Sequence, residues 1–569
     1  MTNKLHLTLA ACLMAGLGTG AYAQDYPAPP PASGVSYGEP GPEAEAGPDQ
    51  AQDGQAPAEA PRRRHARAEI RPYLEVTQVL SAELGDGGET LTYTSVAAGV
   101  DGSIQTRRVT AQMSYRYERH IEYDGNVPDR DIHSGLAAVN VQVVPGALTF
   151  DAGALATRTA GDGRAIGVST QDQAVNVYSV YAGPTLSTHA GPVAVNAAYR
   201  LGYVKIDDDR IAGTLDDDFD SATAHSATAS VGMAPGGPLP FGWTVGAGYA
   251  REDSGGRFEQ RFEGMYARAD VVVPLSSTLA VTAGVGYEDI QASQNDILRD
   301  GGGLPVLDPA GRPIADPSRP RLLTYDMDGV MYDAGIIWRP TARTELQARA
   351  GRRYGGTTVI GSLSHQINDH AALNAAVFDS VTTFGNQLNN DLSSLPDDFD
   401  VSRDPVTGNL GGCAFGRQGG GACLGRSLQS IRGNSFRMRG GSITFSGERR
   451  LWTWGIGAGY THRRYARPND PVFDPVIPRE DEDVSVYASL GRQLSRTSNV
   501  DLNVYASWYD SDLAGANDIT SLGATASYSR TFLLDRLQLL AAMGIYNTDD
   551  GVDSSTNASG QLGLRYTFW

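Results

Sequence analysis

The side chains able to do chemistry are scattered along this chain rather than grouped. Nine histidines occur among 569 residues, none at the spacing of paired metal ligands, and neither G-x-S-x-G nor H-E-x-x-H is present. Gly455, Gly457 and Gly459 lie at every second position, which suits close packing in a strand better than a phosphate cradle. Asp207, Asp208, Asp209, Asp216, Asp217, Asp218 and Asp220 could offer carboxylate oxygens to Ca²⁺, but the glycine turn and terminal Glu of a calcium loop are missing, so a solvated loop is expected. Cys413 and Cys423 lie in a Gly-rich stretch without C-x-x-C spacing, which points to a loop-stapling disulfide rather than redox chemistry. Arg116, Arg200, Arg349 and Arg353 fall among Thr, Ser, Asn and Gln, with Glu118 and Glu288 as counter-charges. Such a set either braces a wall with ion pairs or forms a basic strip that orients anionic solutes. These residues imply no enzyme, no metal and no cofactor.

Bulk properties narrow the class. A net charge of -19 with a pI near 4.9 opposes nucleic-acid binding. Lys4 precedes an apolar run from Leu5 to Leu17, and Ala21-Tyr22-Ala23 supplies a cleavage site, so residues 1–23 read as a signal peptide. A lipoprotein-type site at Cys12 is the rival reading, weakened by the short apolar stretch before it. Residues 24–68 are rich in Pro, Ala, Glu and Gly and are expected to be a disordered periplasmic arm, ending in the basic cluster Arg62, Arg63, Arg64, His65 and Arg67. That arm could meet anionic lipid or a periplasmic partner. Beyond it no apolar run approaches the roughly 18–20 residues of a spanning helix, so a membrane span must be β.

The elements that must position these side chains are strands. From residue 69 to 569 the chain alternates apolar and polar residues, as in Val109, Ala111, Met113, Tyr115 and Tyr117 against Thr110, Gln112, Ser114, Arg116 and Glu118. The expected fold is all-β: one large antiparallel transmembrane β-barrel of about 22 strands, within a range of about 18 to 24. Tight turns are expected at every second connection, among them Asp101-Gly102, Pro145-Gly146, Ala190-Gly191-Pro192 and Leu534-Asp535. Trp243, Trp338, Trp452 and Trp454 would mark the turn-side interface and Trp508 the opposite one. The final Leu564, Tyr566 and Phe568 alternate outward like the last-strand signal read by the barrel-insertion machinery, with Trp569 as one residue more than usual.

Several stretches resemble a family of Gram-negative outer-membrane β-barrel porins of unassigned substrate: residues 71–84 (RPYLEVTQVLSAEL), 92–109, 178–188 (YSVYAGPTLST), 241–253 and 351–358 (GRRYGGTT). The resemblance implies a large barrel after an exported Pro-rich segment, set among outer-membrane lipid and lipopolysaccharide, and it supplies no catalytic residues. A barrel of this size leaks unless something fills it. The arm is too short and polar for a folded plug, so the long loops near residues 290–327 and 385–433 are the expected constriction. The reading is a porin-like passive channel for small polar solutes. The alternatives are a non-conducting barrel presenting acidic loops and an outer-membrane component of polymer export.

Overall fold

Extended backbone sends successive side chains to opposite faces, so a strand with one apolar and one polar face is stable only where its two sides meet different surroundings. In the computed structural model of the protein the alternating segments form a 22-stranded antiparallel sheet. Each barrel strand pairs with the next, and the first, Arg67–Glu83, pairs with both Thr90–Gln105 and the last, Ser554–Thr567, closing the sheet. The structure describes residues 67–84, 88, 90–123, 130–161, 174–207, 219–236, 238–309, 311–395, 399–400, 403–408, 410, 413–416, 421–423, 425–474, 476–513, 516–534 and 536–568. The signal segment, the Pro-rich arm through residue 66, most of the acidic run (208–218) and Trp569 therefore lie outside the described residues.

The polarity of the barrel is inverted relative to a soluble protein. Val285, Leu562 and Met543 are 55%, 59% and 66% exposed on the outer face, whereas Thr282, Asp270, Glu288 and Ser521 are buried on the inner one. A closed sheet has no free edge strand, and an apolar belt around it requires lipid. The protein is thus a transmembrane barrel of the Gram-negative outer membrane. Its tight turns mark the periplasmic end and its long connections the outer end.

The outer-face aromatics follow this axis. Trp243, Trp338, Trp452 and Trp454 stand on outward positions near the tight turns, with the Arg492 guanidinium 4.7 Å from the Trp452 ring centroid. Trp508 is exposed near the outer end of Ser498–Ser511. At the terminus Leu564, Tyr566 and Phe568 all project outward, the last two rings meeting edge-on at 5.2 Å.

One expected turn is corrected. Asp101 and Gly102 lie inside Thr90–Gln105, and the chain reverses at Thr106–Arg108 instead. Asp101 is needed in the wall: its carboxylate takes the Arg565 guanidinium at 2.6 Å and the Ser114 hydroxyl at 2.8 Å. Another turn is made without glycine, by Leu533 and Leu534 at φ 52° and 55°. Left-handed backbone of this kind costs a non-glycine residue roughly 1–2 kcal/mol.

Candidate functional site in the barrel lumen

The longest connection, 383–435, leaves the wall at Thr382 and re-enters at Phe436, two residues that face each other across adjacent strands. Between those points it runs inward. It begins with helix α1, Phe384–Ser393, whose Phe384, Leu388 and Leu392 form one stripe at helical spacing. That stripe is buried against Leu155, Val175, Val177, Tyr181, Val204 and Ile206, which belong to strands well round the barrel from those that carry the loop. The helix starts at a built cap. Glu252 on Gly242–Ser254 accepts the Asn386 amide at 2.8 Å and the Thr383 hydroxyl at 2.5 Å, while Thr383 is itself the N-cap. A carboxylate here satisfies amide hydrogens that have no intrahelical partner and complements the positive helix end.

Past α1 the loop crosses to the far wall. The Arg403 guanidinium donates to the hydroxyl of Ser134 and to Ser114 Oγ at 3.2 Å. Asp404 accepts the Tyr546 hydroxyl at 2.9 Å and the amides of Val406 and Thr407, each at 2.9 Å. Burial pushes the Asp404 carboxyl above its ordinary range, against the opposing pull of those hydrogen bonds. Val406 packs into Val79, Tyr93 and Ala542, and Gln561 donates to the Pro405 carbonyl. A second short helix, α2, Gly425–Leu428, returns the chain beside α1, where Ser427 meets Asp391. Ser430 then bonds Asp481 of Glu480–Ser495 at 2.7 Å. The loop thus touches widely separated strands, from Gly242–Ser254 to Glu480–Ser495. Above it, loops 295–321 and 466–479 lean together over the mouth through the Arg299–Asp470 ion pair (2.7 Å) and a cluster of Phe258, Ile297, Phe436 and Phe473.

The basic residues singled out from sequence sit in separate clusters. Arg116 lies between Glu75 and Glu118, 2.9 Å from each. Arg200 holds Asp151 at 2.9 Å. Arg349 joins Asp270 (2.7 Å) and Asp333 (3.3 Å), which also hold Arg268, and Arg353 meets Glu288 at 3.3 Å. The alternation identified the inward positions on one strand but not their partners on the next, so Glu75, Asp151, Arg268, Asp270, Asp333 and Glu252 were missed. Acids recurring at the same parity on neighbouring strands were the available signal. Cys413 and Cys423 face each other directly across a short antiparallel pair, though their side chains lie outside the described ones. Among the described residues no group of three or more His, Cys, Asp or Glu is placed to hold a metal.

No protein-family model matches the chain, the porin resemblance included, and no curated protein sequence matches it. Solved structures with a similar course are those of the FrpB iron transporter from Neisseria meningitidis (10% identity, TM-score 0.44, covering 88% of this chain and 81% of that one). The siderophore receptor PiuA from Acinetobacter baumannii (12%, 0.42, 87% and 82%) and the ferric-catecholate import receptor Fiu from E. coli (10%, 0.43, 87% and 81%) are similar to the same extent. The likeness is one of barrel architecture.

Proposed function

We propose that the protein is an outer-membrane channel for small polar solutes whose passage is set by its own inward-folded loop. The observation that carries this reading is α1, a helix with eight buried residues held inside a barrel whose inner wall is polar. A loop fixed by capping, hydrogen bonds and apolar packing on widely separated strands restricts the bore without a separate plug domain. On the same reading residues 1–23 are removed on export, the arm meets a periplasmic partner, and the last strand is read by the insertion machinery. Outer-membrane lipid and lipopolysaccharide surround the belt, and Cys413 and Cys423 are joined as a disulfide.

The test is single-channel conductance of the refolded protein in planar bilayers, beside a variant lacking residues 385–433. Because Thr382 and Phe436 face each other, the deletion closes with a short turn and leaves every barrel strand in place. Small ohmic steps that enlarge severalfold on deletion support the reading. A deletion variant that inserts and stays electrically silent overturns it and favours a closed interaction barrel.

A further inference from the structure

The wall is not continuous. Strand Gly356–Asn368 pairs with Thr344–Arg353 all the way to Arg353↔Gly356, but with its other neighbour, Ala371–Thr382, pairing ends at Gly361↔Val377. Beyond that point Thr357–Ile360 and Phe378–Val381 are not joined by ladder pairing, although Ala371–Thr382 pairs with Phe436–Arg449 as far as Thr382↔Phe436. This seam opens at the outer end, beside the one very short outer connection, Tyr354-Gly355.

Side chains close it. Arg437 and Arg439 reach from Phe436–Arg449 across the intervening strand, Arg437 largely buried and Arg439 half exposed. Arg437 donates to the carbonyls of Tyr354 and Thr357, each at 3.2 Å, and Arg439 to that of Thr357 at 2.9 Å. A single carboxylate, Asp379, serves both guanidinium groups, at 2.8 and 3.2 Å. Arg439 is 48% exposed, and Arg352, the register partner of Thr357, is also exposed on the outer face. The buried Tyr354 ring meets two guanidinium groups, Arg437 at 5.4 Å and Arg353 at 4.7 Å. Val359 and Val377, both exposed, flank the seam just below.

The geometry points to a lateral portal that binds the phosphate head group of an outer-leaflet lipid. The exposed Arg439 and Arg352, beside the buried Asp379 that already serves Arg437, leave an excess of positive charge at the depth where head groups lie, and the exposed valines offer a bed for the acyl chain. A phosphate accepts guanidinium forks more strongly than a peptide carbonyl does. It therefore draws Arg439 off Thr357 and weakens the guanidinium pair that bridges the two unpaired strands. The inference rests on the protein's place in the outer membrane and not on whether the lumen conducts.

The test uses the full chain in a neutral detergent, titrated with phosphatidic acid, phosphatidylcholine and inorganic phosphate as probes. Phosphatidic acid is expected to bind about tenfold or more tightly than phosphatidylcholine, and R437Q/R439Q to remove that preference. R437K/R439K, which keeps charge but loses the fork, is expected to fall between the two. The comparison of probes on the unaltered protein stands even where a variant fails to fold. Equal binding of the two lipids overturns the portal. So does displacement of phosphatidic acid by an equal concentration of inorganic phosphate, which makes the seam a site for free anions.

Discussion

Glu252 is the side chain through which the wall grips the loop most directly, since its carboxylate meets both the cap hydroxyl and a first-turn amide of α1. Glu252→Ala leaves those buried donors with one acceptor fewer, at a cost of about 1–3 kcal/mol. Limited proteolysis of the folded barrel should then cut within 383–435 roughly tenfold faster, and an unchanged rate would mean that the apolar stripe alone holds the helix. Asp404 gives the loop a pH dependence. Its docked carboxyl titrates above the ordinary value, so docking is unopposed below that value and weakens as pH rises through the displaced range. Asp404→Asn should match the unaltered protein in acid and gain in melting temperature relative to it as pH rises; a constant difference would refute the assignment. Arg116, Glu118, Arg200, Glu288, Arg349 and Arg353 were legible because alternation assigns a face. Glu252 was not, because nothing local announces a partner 131 residues away in sequence.

Among elements, the strands were the most legible, since each carries its own period, and turns less so. Asp101-Gly102 has turn chemistry but serves the wall through Asp101, and the Leu533-Leu534 reversal has none. Helix α1 carried a readable signal in Thr383 followed by Phe384, Leu388 and Leu392, obscured by the Asn and Gln between them. The hairpin that seats Cys413 opposite Cys423 places two α-carbons in direct register, the arrangement a cross-strand disulfide needs. Peptide mapping without reductant is expected to recover the two cysteines in one linked fragment. Recovery of both as alkylated thiols would rule the link out.

For the whole molecule, the inverted polarity makes the two faces answer differently to the same change. Val504 lies outward near the middle of Ser498–Ser511, and Asn503 beside it lies inward. Val504→Arg should destabilise the barrel by about 2–4 kcal/mol in urea-unfolding measurements in lipid, and Asn503→Arg by much less; equal losses would contradict the membrane belt. Closure of the sheet, from Tyr73↔Thr567 to Glu83↔Asn557, also sets an order of assembly. Hairpins between successive strands need only local chain and can form early, whereas the first strand waits for the last one synthesised. Until then the growing sheet carries a bare edge at each end. A transcript truncated before Ser554 therefore yields no smaller pore, only a chain with two sticky borders for periplasmic proteases to clear.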